Sequence, residues 1–129
     1  MIVTVTGSRS GFTEGEVFFH LDKLFKNGTP DIVVLNSGSV GVDQHVKDWC
    51  VLNNIPVLVF APYFAVDKGA EFNPRHFFMC NKQMVKQSSM VVVFHDESDS
   101  KTKDVIARAQ RAKVPCEIVT PKTKMKETL

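Results

Sequence analysis

Three polar segments of this sequence hold residue types that could bind an anion. The first is Gly7-Ser8-Arg9-Ser10-Gly11. Glycine lets backbone N–H groups approach a phosphate closely. The serine hydroxyls can donate, and arginine offers a planar fork that fits phosphate. The second is Ser37-Gly38-Ser39-Val40-Gly41-Val42-Asp43, which runs straight into an amphipathic pattern. A helix N-terminus carries unpaired N–H groups and partial positive charge, so Gly38 and Gly41 would let an anion come close to it. The spacing is neither GxGxxG nor the P-loop. Asp43 has two readings: a favourable charge in the first helical turn, or an acceptor for a ribose hydroxyl. The third segment runs from His95 to Lys103. Thr102 suits the N-cap or first turn of the helix that follows; Lys101 and Lys103 could screen a phosphate, though each alone is expected to be solvated.

Nucleophilic and metal chemistry have little footing. There is no G-x-S-x-G elbow. The four histidines (His20, His45, His76, His95) share no metal-ligand spacing. No catalytic residue is assigned, and neither a metal nor a cofactor is expected. Cys50, Cys80 and Cys116 are odd in number, widely spaced and set in apolar patterns, which argues against a disulfide framework and for a reducing, cytoplasmic compartment. Phe64, Phe72, Phe77 and Phe78 are aromatic faces that could stack on a base.

The elements that must position these segments are legible from the apolar pattern. Strand-length runs rich in Val and Ile lie at 2–6, 31–36, 55–60, 90–95 and 116–120. They are nearly continuous, as expected of parallel strands buried on both faces. Between them lie helical patterns. Thr13 and Glu16 have the spacing of a capping box. Val17, Phe18, Leu21, Leu24 and Phe25 then mark one helix face, with Asn27-Gly28 as a stop. Val42, Val46, Trp49 and Cys50 mark a second helix. Phe77, Cys80 and Met84 mark a third, and Val105, Ile106, Ala109 and Ala112 a fourth. The order predicts an α/β, Rossmann-like three-layer sandwich with a mostly parallel five-stranded sheet. The connection 61–74 is a candidate lid or pocket wall.

Length and charge bound the rest. A chain of 129 residues is one domain, with the core expected over 1–120 and a basic, disordered tail over 121–129. No apolar run approaches the roughly 20 residues that cross a bilayer, and the start does not read as a signal peptide. The net charge of +2 names no partner, but residues 100–129 alone carry +5 and the remainder −3.

Taken in order, these motifs resemble the SLOG group of Rossmann-like nucleotide-binding domains, in its stand-alone DUF2493/YspA-like branch. Gly7-Ser8-Arg9 matches that branch's first element. Ser37-Gly38-Ser39-Val40-Gly41-Val42-Asp43, with Trp49 beyond it, matches the second, and Asn81-Lys82-Gln83-Met84 matches its N-x-x-M. The sequence departs where the branch has arginine before the asparagine, here Cys80, and where its G-T turn is Lys101-Thr102. It also lacks the P-G-G-x-G-T-x-x-E motif of the related phosphoribohydrolases. The resemblance implies non-catalytic sensing or sequestration of a nucleotide or an NAD- or ADP-ribose-derived ligand, as in cyclic-nucleotide signalling in phage defence or counter-defence. It implies ligand contacts at Gly7, Ser8, Arg9, Ser37, Gly38, Gly41, Asp43, Arg75, Asn81 and Thr102, and a homo-dimer or higher oligomer. Two alternatives stand: a nucleotide N-glycosidase or phosphoribohydrolase, and a single-stranded nucleic-acid module, since the resemblance extends to the DNA-processing DprA proteins.

Overall fold

Each apolar run contains a strand and each periodic stretch a helix. The structure, a computed structural model, describes residues 1–25, 31–60 and 75–121. In chain order the elements are β1 (Ile2–Gly7), α1 (Glu14–Leu24), β2 (Val33–Asn36), α2 (Val42–Leu52), β3 (Val57–Val59), α3 (Arg75–Gln87), β4 (Met90–Phe94), α4 (Ser100–Arg111) and β5 (Cys116–Val119). The Asn27-Gly28 stop, the connection 61–74 with Phe64 and Phe72, and residues 122–129 lie outside the described residues.

The strands form one parallel sheet in the order β3-β2-β1-β4-β5. The chain steps outward from β1 to β3, then returns to lay β4 on β1's free side. This reversal opens a crevice beyond the C-terminal ends of β1 and β4, the place where open α/β sheets bind ligands. Helices α1 and α2 pack together, as do α3 and α4. Alternation along the strands divides the core between the two layers. Val3, Val5, Val92 and Phe94 meet Val17, Leu21, Val46 and Trp49, whereas Val91 and Val93 meet Val85, Val105 and Ala109. The fold is thus the expected α/β Rossmann-like sandwich with a five-stranded sheet.

Burial on both faces holds for β1 and β4 but fails at the sheet margins. Leu58 is 54% exposed, Val59 44% and Ile118 42%. An outermost strand has a neighbour on one side only and escapes the cover of the central helices. The start of α1 is as read: Glu16 N donates to Thr13 Oγ1 at 3.1 Å, and Thr13 N donates to Glu16 Oε1 at 3.0 Å. Trp49 Nε1 donates to Asp22 Oδ1 at 2.8 Å, tying α2 to α1. Among the described residues, no helix is long and apolar enough to cross a membrane.

Candidate ligand crevice at the switch point

The turn after β1 is seated on two neighbours. Ser8 N donates to Phe94 O at 2.9 Å, and Val42 N, the first amide of α2, donates to Ser8 O at 3.2 Å. Close approach makes the glycines obligatory here. A Cβ on Gly7 would lie 2.7 Å from Phe94 O, and one on Gly41 (φ +82°) would lie 2.3 Å from Arg9 O. Gly38 N donates to Asn36 Oδ1 at 2.7 Å and Ser39 N to Asp43 Oδ2 at 3.0 Å. The turn before α2 and the helix's first amide are therefore bonded by the chain's own groups.

Asp43 is the centre of that closure. Its carboxylate is fully buried and accepts from Thr6 Oγ1 at 2.7 Å, Gly7 N at 3.2 Å, the Ser37 hydroxyl and Ser39 N. The charge is balanced by Lys101, whose Nζ lies 3.4 Å from Asp43 Oδ2 and donates to Ser37 Oγ at 2.9 Å and Ser39 Oγ at 2.7 Å. The expectation of a solvated Lys101 is corrected: it is 8% exposed. Its four-carbon stem carries the ammonium from the start of α4, across the end of β1, to the turn after β2. A buried carboxylate needs a counter-charge and hydrogen bonds, and Lys101 supplies both within reach of two serines.

On the other side of the switch point, the turn after β4 is built around Asp96. Ser98 N and Oγ donate to Asp96 Oδ1 at 2.9 and 2.7 Å, Ser8 Oγ donates to the same atom at 3.1 Å, and Asp96 N donates back to Ser8 Oγ at 3.1 Å. Partial burial alone would raise the Asp96 carboxyl. The hydrogen bonds from Ser98 and Ser8, with charge on His95, outweigh it and hold the group below its ordinary value. The N-cap of α4 is Asp99, whose carboxylate accepts from Lys101 N at 2.8 Å. Thr102 sits inside the first turn, buried. Its hydroxyl donates to Asp99 O at 2.9 Å and lies 2.7 Å from His95 Nδ1.

Between these turns and the start of α3 lies a cleft of about 460 Å³. Arg9 and Ser10 line it from β1's turn, Phe77 and Phe78 from α3, and Asp96, Ser98, Asp99 and Ser100 from the entry to α4. Arg9 is exposed. Asn81 stands one turn beyond the two phenylalanines on the same helix face. It is 1% exposed, and its Nδ2 donates to Lys101 O at 3.2 Å and Asp104 Oδ2 at 3.1 Å. Its Oδ1 is buried, with no hydrogen-bond partner among the described residues.

Of the residues expected to meet a ligand, Arg9 lines the cleft and Asn81 lies behind its aromatic wall. Gly7, Ser8, Ser37, Gly41, Asp43 and Thr102 bond and pack inward, and Gly38 lies at the β2 turn. Arg75 opens α3, and its side chain lies outside the described residues. Ser10, Asp96, Ser98, Asp99, Ser100 and Lys101 line the cleft without having been among the expected ligand contacts, although all lie in the polar segments singled out after β1 and β4. Asp99 carried a usable signal, since Asp is as good a cap as Thr. Among the described residues, no group of His, Cys, Asp and Glu could hold a metal.

Neither a protein-family model nor a curated protein sequence matches the chain. Solved structures do. The chain is similar to DNA processing protein A of Helicobacter pylori, described for its single-stranded DNA binding mode, with a TM-score of 0.70 and 16% identity over 92% of this chain and 64% of that one. It is similar to the molybdenum cofactor binding protein of the phototrophic bacterium Rippkaea orientalis, with a TM-score of 0.69 and 17% identity over 98% and 80% of the respective chains. It is also similar to DNA processing protein A (DprA) of Streptococcus pneumoniae, with a TM-score of 0.67 and 13% identity over 91% and 50%. The chain thus spans less than two thirds of either DNA processing protein. At these identities the likeness is one of fold: the chain has a Rossmann-like α/β architecture shared with DprA and the molybdenum cofactor binding protein.

Proposed function

We propose that the crevice binds a nucleotide or an NAD- or ADP-ribose-derived ligand without transforming it, so that the chain senses or sequesters that ligand as a cytoplasmic homo-oligomer of the DUF2493/YspA-like kind. The observation that carries this reading is the convergence of exposed Arg9, the Phe77 and Phe78 wall and the entry to α4 on one opening of about 460 Å³ at the switch point, within the range of small-molecule sites. Arg9 would take a phosphate as a charge-assisted pair. The aromatic wall would take a base, and Asn81, behind that wall, would brace it against the entry to α4. Arg75 would add charge from the start of α3. Gly7, Ser8, Ser37, Gly38, Gly41, Asp43 and Thr102 then shape and stiffen the crevice.

A thermal-shift screen against AMP, NAD, ADP-ribose and cyclic ADP-ribose tests this reading. A ligand at a hundred times its dissociation constant adds about 2.7 kcal/mol, and the shift should vanish in Arg9→Ala. If no nucleotide moves the midpoint, the reading fails. Chromatography of the same mixtures tests the hydrolytic alternative, where product at about one turnover per second would replace binding with catalysis. The DNA processing proteins among the structural neighbours support a second reading, single-stranded nucleic acid laid over the same aromatic wall. Oligonucleotide binding that collapses with added salt and is lost in Arg9→Ala would favour it.

A further inference from the structure

The two helical layers differ sharply in charge. Helices α1 and α2 together carry five Asp or Glu and two Lys. Helices α3 and α4 carry seven Lys or Arg and one acid, Asp104, and α3 has no acid at all. Between the C-terminal halves of α3 and α4 runs a groove of about 540 Å³, at the opposite end of these helices from the crevice. Lys82 and Lys86 line it from α3 and Arg108 and Arg111 from α4, with Val85 and Val114 among its apolar lining. Lys82 and Lys86 stand one turn apart, as do Arg108 and Arg111, so like charges repel along both rims. Among the described residues Lys101 pairs with Asp43 and Arg108 with Asp104, and neither pair involves Lys82, Lys86 or Arg111. A helix dipole favours a cation or two in each last turn. It does not account for the missing acids or the apolar floor.

We propose that this groove docks an acidic segment of a partner protein, with an aliphatic side chain of that segment seated between the two basic rims. Charge complementarity selects an anionic occupant. The floor selects among anions. Among the described residues no aromatic side chain lines the groove, so it lacks the stacking platform on which unpaired bases are held. Its accessible apolar lining, Ala112 and Val114, instead matches a Leu or Ile flanked by Glu or Asp, the pattern of an apolar anchor inside a polar rim. The site is separate from the crevice and does not depend on what the crevice binds.

The test uses fluorescence anisotropy with the full chain and three labelled probes: a synthetic Glu/Leu peptide of about a dozen residues, a Glu/Gly peptide of equal charge, and an oligothymidylate of similar charge. The Glu/Leu peptide should bind best. Its affinity should fall roughly tenfold or more with added salt and again in Lys82→Glu/Lys86→Glu, and should stay unchanged in Arg9→Ala. Arg111→Glu, at an exposed helix end, carries the test if the double variant does not fold by circular dichroism. Four outcomes overturn the proposal. They are no peptide binding, equal binding of the Glu/Gly peptide, tighter oligothymidylate binding that the groove substitutions remove, and self-association by light scattering that the same substitutions remove.

Discussion

Asp43 and Lys101 are the residues where removing a few atoms should cost most. Asp43→Ala would strand the Lys101 ammonium in a buried site. Losing one member of a buried pair costs about 3–5 kcal/mol, to be read as a lower urea midpoint. Lys101→Met should cost less, about 1–3 kcal/mol, because Asp43 keeps its donors from Thr6, Gly7, Ser37 and Ser39. An equal loss in the two variants would mean that the ion pair, not the network, holds the turn. Asp96 gives a pH signature. Its folded value is lowered from 3.8, so the unfolded chain binds the proton more readily. The stability it contributes is fully present above the unfolded value and is lost as the pH falls through the lower folded one. Between about pH 5 and 3 the wild-type protein should therefore lose more stability than Asp96→Asn, measured by urea midpoints across that range. Asp43 was legible as a special residue, but not as an inward-facing one. Either reading puts a carboxylate at the start of α2, and only the turn after β1, folded against it, decides which way its oxygens are used.

Elements carry a different kind of information. The capping box of α1 was fully legible, because Thr13 and Glu16 need only each other and the two residues between them. Thr13→Ala should cost about 1 kcal/mol in equilibrium unfolding and leave ligand binding alone. The cap of α4 was not legible in the same way. Asp99 and Thr102 are both good caps, and the choice falls to Asp99 because it is the residue in extended backbone, φ −97° and ψ 117°. Thr102 then turns inward to His95. Strand identity was legible but strand position was not. Val57-Leu58-Val59 reads like a core strand, yet it lies at the sheet margin because β1 pairs with β4 on its other side. Gly41→Ala joins the two levels. The added Cβ would sit 2.3 Å from Arg9 O in a left-handed backbone. It should destabilise by about 1–3 kcal/mol, and any nucleotide-induced thermal shift should shrink as Arg9 is displaced.

At the scale of the whole molecule, composition supplied sums and the fold supplied their placement. The three cysteines are free thiols. Burial pushes Cys50 up to about 12 and raises Cys80 and Cys116 as well, the last with help from Glu117. Native protein at about pH 8 should therefore label slowly at fully buried Cys50, with that thiol released on unfolding; fast labelling of Cys50 in the native state would contradict the packing. By itself the sequence determined the α/β class, the succession of strands and helices, the capping box of α1 and the polar turns that could face a ligand. These are consequences of short-range patterning, in which each signal and its cause lie within a few residues. Only the tertiary structure decided which turns meet at the crevice, that Lys101 spans 58 residues of chain to reach Asp43, and that basic and acidic helices fall on opposite faces of the sheet. Those facts follow from strand order. The return of the chain past β1 brings distant residues to one place, and no local pattern records where a strand will find its neighbour.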